Sequence, residues 1–299
     1  MATSGDTFER KEKKYLITAE QCAAIKAALA GRMALDAYGA TRIDSLYLDT
    51  PDRSLICRSL EKPLYKEKLR VRSYGAFSEA NTVFVEIKKK YKGIVYKRRV
   101  RMSKRAMDDY LHGIPYEEAQ QRHPISTEAL SEDLSAGKLQ IARELDAFFR
   151  RYDGLAPSMV ISCLREAWAP VDPLDEDCVD RITFDEDINY VDLFETGSTT
   201  RRPVTGNGMV VMEVKCAGGY PVWLCDLLTS VGAFPRSFSK YGNAFKRVLA
   251  ARGEVEVRQS STGKVSVRNI PLRNRREAAS GEILIAPSAG FEVCHSPVS

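Results

Sequence analysis

Residues 68–74 read KLRVRSY, residues 82–89 TVFVEIKK and residues 95–102 VYKRRVRM. Each carries charge at every second position: Lys68, Arg70 and Arg72, then Glu86 and Lys88, then Lys97, Arg99 and Arg101. Successive side chains of a strand point to opposite faces, so charge collects on one side of these segments and apolar bulk on the other. Residues 209–215, MVVMEVK, repeat the pattern with Glu213 and Lys215. In one isolated strand such a face is ordinarily the solvent side of a half-buried sheet. Several strands of the same kind point instead to a sheet closed into a barrel with a polar interior large enough for an anion. Phosphate is the natural occupant, because cations packed inside without an anion cost several kcal/mol each.

Outward from this centre, residues 8–18 (FERKEKKYLIT) read as a first strand with Arg10, Glu12 and Lys14 on one face. An Ala-rich helix follows, its start marked by the capping-box pair Thr18 and Gln21. TRIDSLYLDT (41–50) is a strand that ends in the turn residues 49–52, and RSLICRSLEK (53–62) has helical character. The loops SYGAFSEAN and KKYKG between the three basic strands are short, which predicts antiparallel pairing. Residues 103–152 lack strand periodicity and read as helices, one capped by Ser103 and one amphipathic over 138–152, placed outside the barrel as braces. Strands resume in 157–170, 181–191 and 208–216, and helices close the domain in 221–232 and 234–253. The expected organisation is one domain over 1–252 and a flexible, Ser-, Gly-, Arg- and Glu-rich tail over 253–299.

The chain has 299 residues and a net charge of +5, too mild for a general nucleic-acid binder. Its seven cysteines show no CxxC pair and read as reduced thiols. The N-terminus lacks the apolar core of a signal peptide, and no apolar run reaches the ~18–20 residues of a membrane span. A soluble, cytoplasmic protein is the expectation. His112, His123 and His295 have no partners at metal-ligand spacing. Trp168, Trp223, Tyr91, Tyr96 and Tyr241 read as core or rim residues, with base stacking as the alternative. Arg165, flanked by apolar residues in VISCLREAW, reads as an arginine in a strand buried on both faces, which needs an anion or a carboxylate.

Taken in order, Lys14 in KKYLI, Arg70-x-Arg72, Glu86-x-Lys88, Lys97-x-Arg99, Arg165 in SCLREAW, Glu213-x-Lys215 and SKYGNAF resemble the VTC domain. This is the polyphosphate polymerase domain of the vacuolar transporter chaperone complex, and the resemblance spans residues 8–250. It implies the α+β fold of the triphosphate tunnel metalloenzymes, an antiparallel barrel of about eight strands around a cation-lined tunnel, in keeping with the alternation above. It further implies phosphate-binding catalytic roles for Arg70, Arg72, Lys88, Lys97, Arg99 and Arg165, and substrate binding by Lys14, Lys215, Lys240 and Arg236. The match at Arg236 is displaced, because PRSFSK is one residue longer than the family spacing. Glu213 resembles the carboxylate that holds Mn2+ or Mg2+, ions suited to hard oxygen donors.

The activity implied is transfer of the ATP γ-phosphate to a growing inorganic polyphosphate chain, with ATP and polyphosphate as partners and no nucleic acid or membrane span. Two alternatives stand beside it: a metal-dependent tripolyphosphatase or nucleoside triphosphatase of the same fold, and a non-catalytic module that binds polyphosphate or nucleotide. The wider superfamily begins with an ExExK strand where this chain has Arg10, Glu12 and Lys14, so one acidic position is basic. That exchange argues against hydrolysis, which needs more inward carboxylates to orient water.

Overall fold

The structure is a computed structural model that describes residues 11–77, 82–92, 94–175, 178–195, 200–253, 255–259 and 265–269. In chain order its elements are β1 (Lys11–Ile17), α1 (Ala19–Leu29), β2 (Met33–Leu35), β3 (Thr41–Asp49), α2 (Ser54–Leu60), β4 (Tyr65–Tyr74), β5 (Thr82–Tyr91), β6 (Ile94–Ser103), α3 (Lys104–Leu111), α4 (Tyr116–Arg122), α5 (Thr127–Asp133) and α6 (Ala136–Arg151). There follow β7 (Ala156–Pro170), β8 (Arg181–Asp192), β9 (Arg202–Pro203), β10 (Val210–Cys216), α7 (Val222–Ser230), α8 (Lys240–Ala251), β11 (Val255–Gln259) and β12 (Val265–Asn269).

Eight strands form one curled antiparallel sheet in the order β1-β10-β8-β7-β3-β4-β5-β6, with β2 added to β7 and β9 to β8. The sheet is a half-barrel: β1 and β6 are its two edges. The three basic strands β4, β5 and β6 are consecutive antiparallel neighbours, with Arg70 opposite Glu86 and Glu86 opposite Arg99. Their charged residues therefore share the concave face.

Helices cover the convex face in two groups. Leu69, Val71, Val83, Val85, Ile87, Val100 and Met102 pack against Met107, Tyr110, Leu145 and Phe148, so α3 to α6 brace β4–β6 from outside. Tyr15, Ile17, Ile182, Phe184, Met212 and Val214 pack against Ile25, Leu29, Leu224 and Leu228 of α1 and α7. The capping box at Thr18 is formed, with Thr18 N donating to Gln21 Oε1 at 2.9 Å and Gln21 N to Thr18 Oγ1 at 3.2 Å. Ser103 caps α3 by accepting from Ala106 N.

A third apolar cluster lies inside the curl. Tyr241, Ala244, Phe245 and Val248 of α8 pack on Ile43, Tyr47, Met159, Ile161, Cys163, Ile188 and Tyr190 of β3, β7 and β8. Helix α8 thus fills one end of the concave space on the β3–β7–β8 side. Tyr241 is thus a core residue, the first of its two readings, rather than a stacking platform for a base: its ring is 1% exposed, stacks on Tyr47 with centroids 4.4 Å apart, and its hydroxyl donates to Asp49 Oδ2 at 2.8 Å.

The convex face of β7 is open where the two helix groups part, and Leu164 is 41% exposed. Arg165 therefore does not sit in a strand buried on both faces; its own face is the lumen. Within 253–299, β11 and β12 pair as an antiparallel hairpin, and the rest of the expected tail lies outside the described residues, as do Arg10, His295 and Cys294. Among the described residues no helix is long and apolar enough to cross a membrane.

Candidate active site

The concave face is organised around three carboxylates, each ringed by cations. The first is Glu86 on β5, 1% exposed. Arg70 Nε donates to its Oε2 at 2.7 Å, Lys97 Nζ lies 2.7 Å from Oε1, and the Arg99 and Arg72 guanidiniums stand 3.8 and 4.0 Å away. Burial alone would raise its pKa, but Arg70, Arg72 and Lys97 overcome this and hold it at about 2. Arg99 also covers the Phe84 ring at 4.5 Å. The Nε of Arg72 is shut off from solvent and has no hydrogen-bond partner, so it is a donor awaiting an acceptor.

The second is Asp185 on β8, which sequence reasoning missed. It lies directly opposite Arg165 on β7 and receives a two-pronged contact, Nε to Oδ1 at 2.6 Å and Nη2 to Oδ2 at 2.7 Å. Lys240, the first residue of α8, donates to the same Oδ2. Arg165 and Lys240, far apart in sequence, are brought together by this carboxylate. The available signal was the alternation Arg181, Thr183, Asp185 in RITFD.

The third is Glu213 on β10, which bridges Lys14 at 3.4 Å and Lys215 at 3.3 Å, while Glu12 reaches Lys14 at 3.2 Å. Burial opposes its charge, yet Lys14, Lys215 and Arg165 hold its pKa at about 2. In return Glu213 and Glu12 raise the Lys14 pKa despite its burial. Arg236 N donates to Lys14 O at 2.6 Å, which ties the segment before α8 to β1 and sets Arg236 beside this group.

Between these centres lie cations with no carboxylate of their own. Lys88 has no ion pair or side-chain hydrogen bond among the described residues, and burial, with Lys14 next in weight, lowers its pKa. Lys68, also missed as a site residue, donates to Ser239 Oγ at 3.0 Å and lies over the Tyr241 ring, and burial depresses its pKa to about 8. Tyr47 accepts from Arg70 Nη1 at 3.3 Å; although burial opposes ionisation, Arg70 and Lys68 bring its phenol down to about 8. Lys88 on β5, the neighbour of edge strand β6, feels Lys14 and Glu12 of edge strand β1, so β1 and β5 face each other across the lumen.

The profile of the VTC domain matches residues 9–249. The chain belongs to the VTC domain family. Two solved structures are similar in outline. One is a putative adenylate cyclase from Vibrio parahaemolyticus, at 10% identity and a TM-score of 0.34, covering 81% of this chain and 97% of that one. The other is a putative adenylyl cyclase from Hippeastrum, described as having a dominant triphosphatase activity, at 12% identity and a TM-score of 0.39, covering 79% and 95%. No relative was found among curated proteins.

A divalent ion of the kind the sequence resemblance implies would need hard oxygen ligands on the concave face. No group of three or more His, Cys, Asp or Glu forms a metal cage among the described residues. Ions of the Mg2+ type need none in phosphoryl transfer, because one or two carboxylates and the substrate phosphates complete their shell. Glu213 and Glu12 share Lys14, and opposite Glu213 the Thr183 hydroxyl is buried without a hydrogen-bond partner. These hard oxygens would suit one divalent ion that completes its shell with phosphate oxygens, whereas Glu86 and Asp185 are committed to guanidiniums and ammoniums.

Proposed function

We propose that this VTC domain is a polyphosphate polymerase that moves the γ-phosphate of ATP onto the end of an inorganic polyphosphate chain. The observation that carries the reading is the charge balance of the lumen. Its carboxylates are each enclosed by cations, while among the described residues Lys68 and Lys88 have no acidic partner and the buried Arg72 Nε has no acceptor. Such a surface is complete only with a polyanion in it.

Phosphoryl transfer is chiefly positioning and charge neutralisation, so no nucleophilic side chain is required. Arg70, Arg72, Lys97 and Arg99 form one wall and Arg165 and Lys240 the other, with Lys14 and Lys88 between. In the reaction a terminal oxygen of the acceptor chain attacks the γ-phosphorus. The bond to the β–γ bridging oxygen breaks, and ADP leaves with that electron pair. Glu86 and Asp185 hold the arginines in place so that their donors point at the phosphates before substrate arrives. Glu213 and Glu12 would hold the divalent ion, which would supply charge neutralisation to the phosphates. A single ion and an acceptor phosphate suffice for transfer, whereas hydrolysis calls for further carboxylates to orient water.

The test is incubation of the purified protein with ATP and Mn2+, with and without a short polyphosphate primer, following ADP release and product length on a gel. Chains that lengthen in step with ADP are the expected result. Free phosphate without chains would replace the polymerase with a triphosphatase, and tight, salt-sensitive binding without turnover would replace it with a binding module.

A further inference from the structure

The inner faces of β4 and β5 meet in successive rows. Arg70 stands opposite Glu86, a balanced pair, but the next row sets Lys68 opposite Lys88 and the one after it Lys66 opposite Lys90. Like charges directly opposite each other weaken a sheet, and among the described residues none of Lys66, Lys88 or Lys90 has a carboxylate within ion-pair distance. Two more lysines join the last row. Lys62, in the turn between α2 and β4, is held at φ +55°, a backbone conformation unfavourable for a lysine. Leu60 touches Gly242, where an added Cβ would come within 3.2 Å, so the end of α2 is docked on α8 one turn before Lys246. Lys246 feels Lys62, and Lys66 feels both Lys90 and Lys62. Burial is the larger cause in each case, and the neighbouring ammoniums add to it by disfavouring the charged form.

This cluster lies at the end of the half-barrel where α8 fills the concave space. The apolar face of α8 blocks the β3–β7–β8 side, but its first turn touches β4, with Ser239 on Lys68, and the lysines continue along β4 and β5 beyond that contact. The residues also change character. Each wall of the lumen includes arginine, whose planar fork fixes a phosphate in one orientation, beside lysines, and the continuation uses lysine alone. A lysine is a flexible point charge that holds an anion without fixing its register. Inner-face residues two apart on a strand are ~6.7 Å apart, so the span from Arg72 to Lys66 is about 20 Å, longer than a triphosphate occupies.

We propose that Lys62, Lys66, Lys90 and Lys246 form a second anion site, a track that carries the part of an inorganic polyphosphate chain extending beyond the lumen past the α8 plug. The track rests on the polymerase reading for its ligand and adds to it a chain-length preference: three phosphates are held by the lumen alone, and a long chain by the lumen and the track together. A nucleotide gains nothing there.

The experiment compares binding of tripolyphosphate and of long-chain polyphosphate by the whole chain and by a Lys62→Gln/Lys90→Gln/Lys246→Gln variant. Lys66 is kept because its ammonium donates to Ser59 O at the end of α2. The variant should lose roughly tenfold in long-chain affinity at low salt, show a shallower salt dependence, and bind tripolyphosphate as the parent does. An unchanged ratio of the two affinities, or an equal loss in both, overturns the track while leaving the lumen reading intact. A parent protein that binds neither compound overturns the lumen reading and the track with it. A single-stranded RNA that binds the parent as tightly as long-chain polyphosphate, and loses the same factor in the variant, overturns polyphosphate as the occupant. Lys90→Glu gives an independent readout, because a carboxylate opposite Lys66 should raise the Tm while weakening long-chain binding; a lowered Tm overturns the view that this row is held against its own repulsion.

Discussion

The Arg165 guanidinium and the Asp185 carboxylate stand directly opposite each other on β7 and β8 and form two parallel hydrogen bonds of 2.6 and 2.7 Å. Lys240 of α8 reaches the same carboxylate, so a single acidic side chain joins two strands to the helix that fills the barrel end. Asp185→Asn leaves two buried cations uncompensated. Unfolding by denaturant should show a loss of about 3 kcal/mol, typical for one removed partner of a buried pair. Tripolyphosphate should restore part of it by taking the place of the missing charge. A variant as stable as the parent, or one that tripolyphosphate leaves unmoved, would contradict this placement.

Arg72→Ala and Lys97→Ala remove charge from a cavity rather than bulk from a core. Each is expected to abolish detectable ATP binding by calorimetry while cooperative thermal unfolding persists. Undiminished affinity in both variants would sink the lumen as the phosphate site.

Glu213→Gln separates binding from chemistry. The amide preserves shape, keeps the cations around it, and removes the anionic oxygen that fits a divalent ion. Turnover with Mn2+ should fall by about 100-fold or more, in the range seen when one group that stabilises transition-state charge is lost. Binding of tripolyphosphate without metal should hold or tighten. Full turnover in the variant would remove Glu213 from the metal site.

The pH dependence has two limbs of known sign. Glu86 and Glu213 titrate at about 2 in the fold against an ordinary 4.5. Their contribution is complete above pH 4.5 and is lost as pH falls towards 2, on the order of 3 kcal/mol for buried Glu86. On the alkaline side Lys68 titrates at about 8 against 10.5. Its buried charge costs stability below pH 8, and the cost is relieved as pH rises from 8 to 10.5. A phosphate ligand favours the charged form, so tripolyphosphate affinity should decline above pH 8. Tyr47, whose phenol also ionises at about 8, adds in the same direction by becoming anionic. Calorimetry near pH 8.5 in buffers of different ionisation enthalpy should show proton uptake on binding; proton release would reverse the assignment.

Alternation along single strands made much of this protein legible in advance. A two-residue period puts Arg70 and Arg72, Glu86 and Lys88, Lys97 and Arg99, and Glu213 and Lys215 each on one face whatever the rest of the chain does, because the backbone alone imposes it. The capping residues Thr18 and Ser103 were equally plain, since their partners lie three residues away. The sheet order, the partner of Arg165, the isolation of Lys68 and Lys88, and the burial of Tyr241 against Tyr47 were decided only by the tertiary structure. Each depends on segments far apart in sequence meeting in space: β7 with β8 across a bulge, β4 with the start of α8, β1 facing β5 over the lumen. Local periodicity tells which way a side chain points. Only the curl of the whole sheet determines which charge it meets there, and so which cations are left for the ligand.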